Sequence, residues 1–225
     1  MQIKNERQCV SLVPIFNHLE QAQMDEVMQL VRNKNLKKGE FLYHAGEKSD
    51  TLYIVNQGQV KIYRLSESGK EQVIRLLQPG NFTGELALFQ QGIQESYAEA
   101  TLDSKICMIK ATDFQKLLTK YPTISLKVLE EFSSRLASSE LQTTRVATES
   151  VETRLAHFIA EMADQTEGEI KTITLPMSKK DLASYLGTTP ETLSRRLADF
   201  EKEGLIIQKG QRDIKVLDID GLLFI

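Results

Sequence analysis

KKDLASYLGTTPETLSRRLA, residues 179–198, is the stretch whose reading decides the architecture of this chain. Leu182, Ala183 and Leu186 form a short apolar stripe at helical spacing, and Gly187 follows where a chain leaves a helix with positive φ. Thr189 suits an N-cap, Pro190 suits the first helical position, and Leu193, Leu197 and Phe200 supply the inner face of a second helix. Small Ala183 lets the two helices approach and Leu193 plugs their crossing. These requirements are met together in a helix-turn-helix.

The outward face of the second helix carries Glu191, Ser194 and Arg195, spaced so that all three side chains enter one groove. Arginine donates two hydrogen bonds to guanine O6 and N7, glutamate accepts from cytosine N4, and serine bonds a base edge or a phosphate. A good bidentate pair contributes ~1–3 kcal/mol of discrimination. The plainer reading of Glu191 and Arg195 is an i, i+4 surface ion pair of ~0.3–0.5 kcal/mol, and the two readings are compatible. Lys179, Thr189, Thr192 and Arg196 flank this face as phosphate-contact candidates. Past Gly204, LIIQKGQRDIKVLDI reads as two short strands around Gly210, a wing beside the helices. Residues 149–225, opened by a helix over Val151 to Ala163, are thus expected to form a winged helix-turn-helix.

Working toward the N-terminus, a polar, serine- and threonine-rich stretch from Ser138 to Thr148 precedes that domain. Before it, Tyr121-Pro122 starts a helix whose Leu126, Leu129, Phe132 and Leu136 form a stripe, with the helix continuing past Arg145. The stripe suits either core packing or pairing of two helices in a dimer. From Leu36 to Ile109 the texture changes to short runs (TLYIV, QVKIY, QVIRLL, KICMI) punctuated by Gly39, Gly46, Gly58, Gly69, Pro79-Gly80, Gly84 and Gly92. That rhythm predicts a β-roll or barrel. Met24, Val27, Met28 and Val31 mark an amphipathic cover helix between Glu20 and Arg32. The expected class is α+β: a sensor β-roll with cover helix over 1–112, a dimerisation helix and hinge over 113–148, and the DNA-reading domain over 149–225.

Composition sets the outer bounds. The 225 residues suit two domains, and 41% apolar with 26% charged residues suits a packed core. The net charge of −3 hides an asymmetry, because residues 178–212 carry +2 and the remainder −5. No apolar run approaches the ~18–20 residues that span a bilayer, and the opening MQIKNERQCVSLVPIF lacks a signal-peptide core. A cytoplasmic protein with no membrane partner is expected. His18, His44 and His157 are scattered without metal-ligand spacing, and no nucleophile elbow or phosphate-binding glycine loop is present, so neither catalysis nor a metal site is expected.

Residues 36–110 and 178–217 resemble the CRP/FNR superfamily of bacterial transcription regulators. HAGEKSDTLYIVNQGQVKIY and PGNFTGELALFQQG look like its roll signature, and ETLSRRLADFEKEGLI looks like its recognition helix and wing entry. The resemblance implies a cyclic-nucleotide-binding-like double-stranded jelly roll, a homodimer through the long helix, and contacts with double-stranded DNA and RNA polymerase. Glu191, Ser194 and Arg195 match the E-x-x-S-R pattern of the FNR branch, which implies a palindrome like TTGAT-N4-ATCAA.

The same resemblance constrains the signal. Members that bind cyclic AMP hold its phosphate with the arginine of an R-S pair, where this chain has Glu95 and Ser96. Glu85 can still bond a ribose hydroxyl, but Glu95 repels the phosphate, so cyclic AMP is not expected, while another ligand in the roll stays open. Iron-sulfur members use four cysteines, whereas this chain has two, and a four-cysteine cluster is not expected. Cys107 matches the family's strand cysteine and Cys9 falls in the N-terminal region. They suit a reversible disulfide, or Cys107 is a buried core thiol. An effector-independent regulator with a purely structural roll is the remaining alternative. A ligand-binding module alone has no need of residues 178–200.

Overall fold

The computed structural model describes residues 10–89, 92–164, 166 and 171–225. Two compact units divide between Ala137 and Ser138, except that Glu71–Val73 group with the second. No helix among the described residues is long and apolar enough to cross a membrane.

In the first unit, helix α1 (Gln21–Leu30) precedes ten short strands. They are β1 (Arg32–Leu36), β2 (Phe41–Tyr43), β3 (Lys48–Ser49), β4 (Thr51–Gln57), β5 (Val60–Leu65), β6 (Glu71–Leu77), β7 (Phe82–Thr83), β8 (Gly92–Ile93), β9 (Tyr97–Ala100) and β10 (Ser104–Lys110). Antiparallel sheets of order β1-β10-β4-β7 and β2-β9-β5-β6 form the roll, and β3 pairs with β8. Strand alternation divides the apolar residues between two layers. Leu52 and Ile54 of β4 and Cys107 and Ile109 of β10 join Val27 of α1 in one buried cluster, while Val55, Ile106, Ile62 and Ala98 pack in the other. Gly84, between β7 and the 3₁₀ turn Glu85–Leu88, has φ +83°, and a Cβ there would lie 2.2 Å from the Thr51 carbonyl oxygen. Only glycine fits.

Two boundaries differ from expectation. The cover helix starts after Glu20, whose N–H donates to Gln23 Oε1 at 3.0 Å, and ends at Leu30 because Val31 is already extended. Arg32 to Leu36 are drawn into β1 by pairing with β10, although RNKNL carries no strand pattern of its own.

Helices α2 (Ala111–Lys120) and α3 (Pro122–Thr148) follow. Ile124 and Val128 bury α3 against the roll cluster, with Phe132 packed beside them. Leu126, Leu129 and Leu136, read from the sequence as one stripe with Phe132, are instead 61%, 60% and 62% exposed. The alternative that they are core residues of one chain is therefore corrected: the core face of α3 lies beside them.

The second unit contains α4 (Val151–Asp164), β11 (Lys171–Thr174), α5 (Lys179–Tyr185), α6 (Pro190–Lys202), β12 (Ile206–Lys209), β13 (Asp213–Val216) and α7 (Ile219–Leu223). The wing strands form a sheet of order β11-β13-β12, so the wing has a third strand that the sequence reading did not include. Leu155 and Ile159 of α4, Leu182 and Ala183 of α5, and Leu193, Leu197 and Phe200 of α6 are all 0% exposed.

Candidate nucleic-acid interface

The helix-turn-helix is built by local chemistry. Ser178 caps α5 by accepting from the Asp181 N–H, and Leu186 ends it. Gly187 takes φ +70°, Thr188 N–H returns to the Ala183 carbonyl at 2.8 Å, and the Thr189 hydroxyl caps α6 by accepting from the Thr192 N–H. Pro190 occupies the first turn, where a missing N–H has no partner to lose. The three buried residues of α6 then turn Glu191, Ser194 and Arg195 outward, and all three are exposed.

Glu191 and Arg195 do not form the ion pair of the plainer reading, and among the described residues the Arg195 guanidinium meets no carboxylate. The Glu191 carboxyl accepts from its own backbone N–H and from the Thr189 hydroxyl, which holds its pKa below the usual value. The N-terminus of α6 thus fixes the acceptor, and Arg195 keeps its donor fork.

The flanking candidates divide. Thr189 and Thr192 lie at the helix start with hydroxyls 3.3 Å apart. Lys179 donates to Gln208 Oε1 at 2.8 Å, joining α5 to β12, while Gln208 also bonds Glu201. Arg196 turns along the helix to Asp199 at 3.4 Å and Glu152 at 3.5 Å. Those part-exposed pairs are weak, about 0–1 kcal/mol each.

In the roll, Glu85, Glu95 and Ser96 have different surroundings. Glu85 Oε1 accepts from Arg75 at 3.0 Å and from Arg135 of α3 at 2.7 Å. Arg135 also donates to the Phe82 carbonyl at 3.1 Å, stacks over the Phe82 ring at 4.0 Å and pairs with Glu131 at 2.8 Å. Glu95 is exposed and pairs with Arg64. The Ser96 hydroxyl meets Tyr43, which also contacts Thr83 at 3.1 Å, and burial pushes the Tyr43 phenol up. Cys107 is fully buried in β10, its Sγ 3.4 Å from Asn33 Oδ1. Cys9 lies outside the described residues.

Arg154 was not among the expected site residues. It is 8% exposed on α4 and donates to the carbonyl of Leu186, at the end of α5. Its signal in the sequence is position: it stands in line with Val151 and Phe158, three and four residues away on the same helix face.

Two domain descriptions match the chain: a cyclic nucleotide-binding domain over residues 33–121 and a Crp-like helix-turn-helix domain over 153–225. The chain is 33% identical over 214 residues to the probable transcriptional regulator flp of Lacticaseibacillus casei, covering 95% of this chain and 96% of that protein. It is 30% identical to an anaerobic regulatory protein of Haemophilus influenzae, covering 92% of this chain and 80% of the relative. Among solved structures, FixK2 of Bradyrhizobium japonicum is similar with a TM-score of 0.74 and 25% identity, over 85% of this chain and 95% of that one. A CooA mutant from Carboxydothermus hydrogenoformans shares the fold with a TM-score of 0.79 at 22% identity, over 94% and 93% of the two chains. With a jelly roll, a long helix and a winged helix-turn-helix matched in that order, the chain belongs to the CRP/FNR family of DNA-binding transcription regulators.

Proposed function

We propose that this regulator acts in the cytoplasm as a homodimer, reading a palindrome resembling TTGAT-N4-ATCAA with Glu191, Ser194 and Arg195 of each copy. The observation that carries this reading is the exposed face of α6, where among the described residues Arg195 pairs with no carboxylate and Glu191 is held as an acceptor. Arginine then takes guanine O6 and N7, and glutamate takes cytosine N4. Thr189 and Thr192 bind phosphate as they stand, and Lys179 does so by leaving Gln208. RNA polymerase is the partner on the bound promoter.

The roll works without cyclic AMP, because Glu85 is already neutralised by Arg75 and Arg135, and Glu95 places a carboxylate where the cyclic phosphate needs a cation. No iron-sulfur cluster is needed. The cysteines supply a redox input instead: Val10, directly after Cys9, is fully buried in the apolar cluster that contains Cys107. Two thiols and one hydrogen peroxide give one Cys9–Cys107 disulfide and two waters.

The test is a titration of reduced protein on a TTGAT-N4-ATCAA duplex, a scrambled duplex and the Arg195→Ala variant, at one stated salt concentration. Tight binding that needs Arg195 supports the reading; equal binding to both duplexes overturns it. Mass spectrometry after peroxide treatment checks the thiols, and retention of both overturns the redox input.

A further inference from the structure

The joint between the end of α3 and the recognition helix converges on one side chain. Arg154 Nε donates to the Leu186 carbonyl at 3.1 Å. Its Nη1 reaches the carbonyls of Glu149 at 2.5 Å, Val146 at 3.4 Å and Arg145 at 3.5 Å. Arg145 and Val146 belong to the last turn of α3, at the negative end of its dipole, and the Arg145 carbonyl also accepts the Glu149 N–H at 2.9 Å. Leu186 is the C-cap of α5, three residues before the Thr189 cap of α6. A single buried guanidinium therefore holds the last turn of α3 and the turn that launches the recognition helix.

The surroundings fit this role. Among the described residues, Arg154 pairs with no carboxylate, so its charge is balanced by backbone carbonyls alone. The fork of an arginine can bridge two backbone segments in fixed geometry, which a lysine cannot. Gly187, beside Arg154 Nη2 and Val146 Cγ1, is required by its φ of +70° rather than by space, since a Cβ there would meet both at ordinary contact distance. The neighbouring ion pairs, Arg145 with Glu161 at 2.8 Å and Arg196 with Glu152 at 3.5 Å, are part-exposed and contribute little to rigidity.

We propose that Arg154 is the positioning residue of this regulator: it sets the angle of α6 against the end of α3, and through it the distance between the two recognition helices of a dimer. This rests on the dimer-on-palindrome reading above. Arg154 touches no base. Its contribution is to let both heads engage at once, because linking two binding modules raises affinity by on the order of 10²–10⁴ and the gain disappears when geometry forbids simultaneous contact.

The experiment uses full-length protein, wild type and the variants Arg154→Met and Arg154→Lys. Affinities are measured on the palindrome with N3, N4 and N5 spacers and on a duplex in which one half-site is scrambled. Sedimentation and thermal melting of each protein accompany them. The expected result is that both variants lose about tenfold or more on the N4 palindrome, change less than about threefold on the single half-site, and lose the preference for one spacer, while remaining folded dimers. Equal losses on palindrome and half-site, or an unchanged spacer preference, overturn the proposal and leave Arg154 a stabiliser of its own domain. If Arg154→Met does not fold, Arg154→Lys, which keeps the charge and loses the fork, decides by the same ratios. A wild type that binds palindrome and half-site equally fails the dimer reading itself, and this inference with it.

Discussion

Replacing Leu129 and Leu136 by alanine should separate the proposed dimer without unfolding the chain. Each leucine is about three-fifths exposed, 60% and 62%, on a helix whose neighbouring face is buried through Ile124 and Val128. Complete burial of a leucine is worth ~1.5–3 kcal/mol, so covering the remaining exposed part stabilises by about 1 kcal/mol per residue. A two-fold interface contains each residue twice. The double variant therefore removes about 4 kcal/mol from association, three orders of magnitude in the dimer dissociation constant at ~1.4 kcal/mol per decade. The single chain should hardly notice, because alanine is the better helix former and the lost contacts are with water. Sedimentation over a dilution series measures the constant, with thermal melting in parallel. Ile124→Ala, at 0% exposed, is the contrasting case: about 2–5 kcal/mol of fold stability lost to a core cavity. A Leu129→Ala/Leu136→Ala protein that dimerises like wild type would refute the reasoning and place the pairing surface elsewhere.

Arg195→Ala should weaken binding by about 1–3 kcal/mol and relax the preference at one base pair in each half-site, checked by substituting every position of the duplex in turn. The Glu191 carboxyl is held below its usual pKa by its own N–H and the Thr189 hydroxyl, so it stays ionised above the ordinary carboxylate value and loses its charge only as pH falls through the lowered one. Base preference at its position should accordingly be the same at about pH 8 and about pH 5.5; fading of that preference over this interval counts against Glu191 as the acceptor. Millimolar cyclic AMP should leave both melting temperature and DNA affinity unchanged, and a rise in either shows that the roll accepts the phosphate despite Glu95. Arg135→Ala should lower fold stability by about 1–3 kcal/mol, since it strips one donor from the part-buried Glu85 carboxylate. Arg135→Ala combined with Glu85→Gln should recover part of that loss in a denaturant titration.

The motifs that could be read directly are those whose physics is local. Thr189, Pro190 and Gly187 are required by a cap, a first turn and a positive φ, each set within four residues, and the spacing of Leu193, Leu197 and Phe200 orients the helix that presents Glu191, Ser194 and Arg195. The glycine rhythm of the roll is equally local. Strands β1 and β11 were missed because RNKNL and KTIT have little apolar pattern; each becomes a strand only through the backbone of a neighbour, β10 or β13.

By itself the sequence determined the helix-turn-helix, the succession of roll, long helix and wing, and the outward reading face, because these follow from turn chemistry and helical period. Only the tertiary structure decided which leucines of α3 face away from the roll. It also decided that Glu85 meets Arg75 and Arg135, 10 and 50 positions along the chain, and that Arg154 gathers carbonyls from two helices. A charged side chain finds such partners through chain topology and burial, and neither leaves a periodic trace in the order of residues.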